Sequence, residues 1–234
     1  MRLAPSARAA NSGLWMAVNH ALYPDTPVAM LSWIRKSAID SAVPVAEQIA
    51  RLAGNGVRLR PGITAADVLA LPERATLESA GYRATLCALG AERRDADGHA
   101  YFLSDDVWFF DSACINGPGD YAHVVSRLAA MLPDEFPARD ADDSVLLGDW
   151  RASVSFEIGE TRHHWTQRVM DVWLDETLLM RVNQFIDELG GAKAGARHLW
   201  QIPLESQHRL IVAATPAHGR SLAQQCSLAL RNIV

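Results

Sequence analysis

Hydrophobic residues in the first third of the chain recur mainly at helical spacing. The run that follows Thr26-Pro27 continues to Gly54-Asn55-Gly56, and a threonine followed by proline is a common helix start. Thr64 and Asp67 have the spacing of a capping box, which marks the start of another short helix. These patterns predict a helical N-terminal segment over residues 1–81.

After Gly81 the pattern favours strands. Three stretches have the length and apolar content of a strand, namely 82–89, 100–103 and 107–114. Asp95-Ala96-Asp97-Gly98 is typical of a turn between the first two. The third stretch is apolar on both faces, which indicates a central strand. From Tyr121 to Leu132 the apolar residues then fall on one helical stripe.

The second half of the chain shows the same kinds of element. Apolar and polar residues alternate over 153–158, which predicts a strand with one wet face, and the acidic stretch 133–143 before it reads as a loop. Asp175 is placed to cap a helix that ends at Gly190. The remaining patterns predict strands over 163–170, 198–202 and 209–214 and a final helix that starts at Ser221 or at Thr215-Pro216.

The predicted element order implies a mixed α+β fold. The order is β-β-β-α followed by β-β-α-β-β-α, and hairpin-length connections favour largely antiparallel sheets with packed helices over a doubly wound parallel sheet. We expect the helical segment 1–81 to precede an α+β region over 82–234. That region is either two similar halves, 82–143 and 144–234, or one compact domain.

The composition is that of a globular protein. Of the 234 residues, 49% are hydrophobic and 21% charged, a balance that argues against a disordered chain and against a membrane protein. The three cysteines are Cys87, Cys114 and Cys226, and they form no Cys-x-x-Cys pair, so we expect neither a disulfide framework nor a structural zinc site. Because no apolar stretch is long enough for a signal peptide or a membrane span, the reducing cytoplasm is the expected location.

Negative charge is concentrated in one central segment. Residues 105–149 hold ten acidic side chains and only two basic ones, whereas the chain as a whole has a net charge of −5. Nucleic-acid binding depends on clustered lysine and arginine, so this layout argues against it. An acidic face is either simply solvated or complementary to a basic protein.

Few residues carry an enzyme-like pattern. Cys114 follows a predicted strand and precedes a glycine-rich turn into a helix, and a thiol at a helix N-terminus can be a nucleophile. His163 and His164 point to opposite sides of a predicted strand and cannot share a metal ion. Asp140-Ala141-Asp142-Asp143 lacks the glycine and glutamate of a calcium loop. We therefore expect no metal and no cofactor.

Acidic residues and tryptophans supply the candidate binding residues. The chain has seven tryptophans, several of them next to acids, and tryptophan is frequent at binding hot spots. The predicted partner-binding set is Asp105, Asp106, Trp108, Asp111, Asp140, Asp142, Asp143 and Trp150. We predict this set on the premise that the carboxylates lie on one surface and that this surface faces a cationic partner.

Two stretches resemble bacterial proteins with toxin-immunity functions. They are DVWFFDSACINGPGDY over 106–121, continued through the helix to Met131, and WLDETLLMRVN over 173–183. The resemblance implies a cytoplasmic antitoxin-like role with no bound cofactor. The acidic segment indicates the kind of partner, a basic toxin domain such as a nuclease, whose active site the carboxylates would occupy in place of nucleic-acid phosphates. Two alternatives stay open. One is a small hydrolase or transferase that uses Cys114, and the other is a scaffold that self-associates through an apolar patch.

Overall fold

A computed structural model describes residues 43–72, 74–146, 149–190 and 195–234. The predicted helical run after Thr26-Pro27 lies outside these residues as far as residue 42, and its last part forms the first described helix, which ends at Gly54. The helices are α1 (Val45–Gly54), α2 (Ala65–Leu69), α3 (Arg74–Gly90), α4 (Asp120–Met131), α5 (Thr177–Gly190) and α6 (Pro216–Gln225). The strands are β1 (Arg93–Arg94), β2 (Ala100–Tyr101), β3 (Val107–Asp111), β4 (Arg139–Leu146), β5 (Arg151–Ile158), β6 (Thr161–Arg168), β7 (His198–Ile202), β8 (His208–Ala214) and β9 (Arg231–Asn232). The predicted α+β class is confirmed.

Helices α1 to α3 begin the described part of the chain. The capping box at α2 is present, with the Asp67 carboxylate accepting a hydrogen bond from the Thr64 N–H at 2.7 Å. The strand predicted over 82–89 is wrong, because these residues form the second part of α3, after a break at Gly81 where φ is +69°. Almost the whole of that part is buried, and a fully buried helix gives the same continuous apolar signal as a buried strand.

Strand β3 belongs to a four-stranded antiparallel sheet with the order β3-β8-β7-β9. The prediction of a central strand over 107–114 is wrong in two respects, since β3 lies at one edge of that order and ends at Asp111. Beside it the chain that leaves α3 forms a single bridge between Ala91 and Phe109. A β-carbon on Gly90 would lie 2.8–3.0 Å from the side chain of Val107 and the backbone of the next two residues, so only glycine permits this approach.

Both faces of the four-stranded sheet are buried, which explains the apolar pattern of β3. Val107 and Phe109 face one core, shared with α1, α2, α3 and α6, while Trp108 faces a second core, shared with α4, α5 and strands β4 to β6. Alternate residues of one strand point to opposite sides. A strand covered on both faces therefore has no polar alternation.

Strands β4, β5 and β6 form a three-stranded antiparallel sheet against the second core. The loop predicted over 133–143 is wrong from Arg139 onward, where β4 begins. Much of β4 is solvent-exposed, and its residues are mostly polar for that reason. The register pairs Leu146 with Arg151 and Arg151 with Arg168, so these three side chains share the outer face of the sheet.

The last elements close the four-stranded sheet. Helix α6 starts at Pro216, and the Thr215 hydroxyl accepts a hydrogen bond from the His218 N–H at 3.1 Å. The Thr215-Pro216 start is therefore confirmed over the Ser221 start. The helix ends at Gln225, and the chain then adds β9 beside β7.

Candidate interaction surface

Asp105 and Asp106 are held by arginines of the same chain. The Asp105 carboxylate lies 3.2 Å from Arg127 Nη1 and 3.5 Å from Arg60 Nε. Asp106 lies 2.9 Å from Arg197 Nη1 and accepts a hydrogen bond from the Arg58 N–H at 2.8 Å. Both carboxylates are thus engaged within the fold.

Arg127 and Arg197 organise this ion-pair network. The Arg127 guanidinium is buried, donates hydrogen bonds to the carbonyls of Ser104 and Val107, and lies 3.7 Å above the Phe102 ring. Burial lowers the pKa of Arg127. Arg197 also contacts the Glu135 carboxylate at 3.3 Å. Burial raises the pKa of Asp106 despite the hydrogen bond from Arg58 and the charge of Arg197.

Trp108 is a core residue. Its side chain is 4% exposed and stacks on Phe110 with the ring centroids 3.9 Å apart. It packs in the second core with helix α4 residues such as Val125. The described fold therefore leaves little of this indole for a partner to contact.

Asp111 and Asp143 accept hydrogen bonds that fix loops and a helix end. Asp111 accepts from Gln207 Nε2 at 2.6 Å and from the Ala113 N–H at 2.9 Å. Asp143 accepts from the N–H groups of Gly119 and Ala122 at 2.6 and 2.9 Å. A carboxylate at this end of α4 satisfies free N–H groups and favours the helix dipole. Asp143 is therefore a helix cap supplied by a neighbouring strand.

Asp140 and Asp142 remain exposed on the edge strand β4. The β4–β5 register shifts between Arg139 and Asp142, which marks a β-bulge, and Asp140 has the left-handed φ of +49°. Asp140 has one ion-pair contact, 4.0 Å from Arg139 Nε. Bulges redirect side chains and often occur next to functional sites. Of the six predicted interface acids, these two are the most accessible.

Trp150 is exposed beyond the opposite end of β4, directly before β5. Its indole is 61% exposed and its backbone has the left-handed φ of +54°. Asp142 and Leu146 are four positions apart in β4, about 13 Å along an extended strand. The structure therefore divides the predicted set between the core, an internal ion-pair network, hydrogen bonds to a loop and a helix end, and two separate exposed regions.

The geometry of Cys114 does not favour a nucleophile. Burial, with the charges of Asp120 and Asp111, raises the pKa of its thiol to about 12. A reactive thiol needs the opposite shift, because the thiolate is the attacking species. The Cys114 thiol therefore stays protonated near neutral pH.

One group of metal-ligand residues occurs in the described ranges. Asp95, Asp97 and His99 place one potential ligand atom each within 4.8 Å of one another in the β1–β2 turn, and all three are exposed. Asp95 already accepts hydrogen bonds from the N–H groups of the other two residues. These hydrogen bonds belong to the turn, and the turn by itself accounts for the short distances between the three side chains. His163 packs on Phe156 and Phe185 while His164 is exposed, so the two do not share a site.

Sequence reasoning missed the arginines that bind the acids. Arg127 lies beside the apolar stripe of α4, and its position between Val124, Val125 and Leu128 was the available signal. Arg197 carries no such signal, because its partners are far away in the chain.

Comparisons of the chain with protein-family models, curated proteins and solved structures found no match. Across the described residues, every helix is too short or too polar to cross a membrane.

Proposed function

We propose that this chain is a cytoplasmic immunity protein that binds and neutralises a basic protein partner, such as a nuclease toxin domain. The observation that carries the proposal is the β-bulge on β4, which exposes the Asp140 and Asp142 carboxylates on an edge strand. The resemblance of residues 106–131 and 173–183 to toxin-immunity proteins supports the same class.

The exposed carboxylates suit contact with arginine and lysine. Charge complementarity speeds the encounter between two proteins and selects the partner. Asp140 and Asp142 are open to solvent, so they can bind a cation without breaking a hydrogen bond of the fold. The engaged acids Asp105, Asp106, Asp111 and Asp143 would lose internal partners, and we exclude them from the contact surface.

The test measures binding to purified basic proteins encoded by the genes that flank this chain's own gene. Asp140→Lys with Asp142→Lys should raise the dissociation constant for the true partner about a hundredfold, because like-charge contacts cost several kcal/mol. Lysine on an edge strand also prevents that strand from pairing with another chain. The change therefore reverses the charge without making the edge prone to aggregate. The matched control is Glu188→Lys with Glu205→Lys, which makes the same charge change at two other exposed acids.

Two results would count against the proposal. One is that no basic product of a flanking gene binds the wild-type chain. The other is that the β4 double variant and the control double variant bind a partner equally well. In support, adding the wild-type chain should suppress the activity of the bound partner, and the β4 variant should fail to do so.

A further inference from the structure

Exposed apolar side chains gather at one end of the three-stranded sheet. The described residues include six large hydrophobic side chains that are exposed, and four of them belong to this end: Leu146, Trp150, Met170 and Trp173. Clustered apolar exposure of this kind marks interaction surfaces in soluble proteins, whereas scattered exposure needs no explanation. We name these four residues the end patch.

Backbone pairing brings the four residues together. Leu146 pairs with Arg151, the residue after Trp150. The Trp150 carbonyl accepts a hydrogen bond from the Val169 N–H at 3.0 Å, and Val169 precedes Met170. Met170 in turn bridges to Trp173. The end patch is thus a continuous feature of the fold although it draws on two separate parts of the chain.

Charged side chains of both signs border the end patch. Arg151 and Arg168 are directly opposite in the β5–β6 register and exposed, an arrangement of like charges that is unfavourable by itself. Asp149 and Asp171 are exposed next to Trp150 and Met170. Within the described ranges, the side chains of these four charged residues form no ion pair with each other or with any other group.

We infer that the end patch binds a second copy of this chain. A surface that holds both arginines and aspartates can be complementary to itself through a twofold rotation, which is the commonest symmetry of protein dimers. The arginines of one copy would meet the aspartates of the other around an apolar centre. A partner of single charge sign would satisfy only one of the two pairs and repel the other.

This surface is separate from the one in the proposed function. The end patch lies at the Leu146 end of β4, and the Asp140 and Asp142 carboxylates lie toward its start. Dimer formation would leave those two carboxylates accessible. The Asp140→Lys, Asp142→Lys variant should therefore dimerise as the wild type does, so the two proposals fail independently.

Sedimentation equilibrium over a dilution series at low salt tests the inference. The wild type should approach twice the 25.6 kDa mass of one chain. Trp150→Ser with Met170→Ser should raise the dimer dissociation constant about thirtyfold or more, the effect of losing a hot spot. Leu189→Ser, at an exposed leucine elsewhere, is the control and should have no effect. Circular dichroism verifies that each variant is folded.

A charge exchange provides the sharper test. Arg151→Glu with Arg168→Glu, and separately Asp149→Arg with Asp171→Arg, should each make the chain monomeric, because like charges then meet across the twofold axis. An equimolar mixture of the two variants should form heterodimers, since every contact across the axis is again between opposite charges. A monomeric wild type at all concentrations, or a mixture that stays monomeric, would overturn the inference.

Discussion

Replacement of Arg127 by methionine should destabilise the fold more than any exposed charge substitution. The Arg127 side chain is 4% exposed and donates hydrogen bonds to two main-chain carbonyls and the Asp105 carboxylate. Methionine keeps much of the side-chain volume over the Phe102 ring but removes every donor. A buried acceptor that loses its donor costs about 1–3 kcal/mol.

The expected magnitude follows from those contacts. Two carbonyls lose their Arg127 donor, while Asp105 keeps Arg60 at 3.5 Å and is partly solvated. We therefore expect a loss of about 2–6 kcal/mol in the free energy of unfolding, since each of the two buried carbonyls that lose a donor costs about 1–3 kcal/mol. Arg60→Met removes an exposed partner of the same carboxylate and should cost below about 1 kcal/mol.

Urea denaturation followed by circular dichroism measures both variants. The midpoint should fall strongly for Arg127→Met and little for Arg60→Met, with similar slopes in both cases. Equal losses for the two variants, or a loss below about 1 kcal/mol for Arg127→Met, would refute the view that the acids before β3 serve an internal network. A large difference would confirm that the buried Arg127 guanidinium, and not the exposed Arg60, stabilises this part of the fold.

Four further outcomes are expected. Gly90→Ala should cost about 1–3 kcal/mol in thermal or urea unfolding because its β-carbon meets the backbone of β3, whereas Gly54→Ala, with open space around it, should be neutral or slightly stabilising. Asp143→Ala should cost about 1 kcal/mol through the lost α4 cap, and a smaller effect than that of Asp142→Ala would contradict the capping role. Cys114 should react with iodoacetamide at pH 7.5 much more slowly in the folded chain than in urea, since its pKa is raised to about 12. Burial lowers the pKa of His208, so the unfolded chain binds the imidazole proton more tightly than the folded chain does. The free energy of unfolding should therefore fall as the pH drops below about 6.5. His208→Gln should make this decrease less steep, and an unchanged slope would contradict the role given to His208.

Several elements of the fold could be predicted because they depend on the spacing of nearby residues. The apolar stripe of α4, the capping box of α2 and the alternation in β5 each reflect interactions within a few residues, so their type could be predicted from the pattern. The class of the fold followed from the order of such elements. The second part of α3 was misread because a segment buried on all sides loses the period that separates helix from strand.

Which acidic residues are available to a partner depends on long-range packing. Ten carboxylates in one segment predict local negative charge, but whether each meets solvent, an N–H group or an arginine depends on chain that is distant in sequence. Asp106 meets Arg197 from 91 residues away, and Asp143 meets the start of α4 from a neighbouring strand. The pairing of β5 with β6 likewise joins Trp150 to Met170. Long-range packing sets these contacts, and no local pattern encodes them.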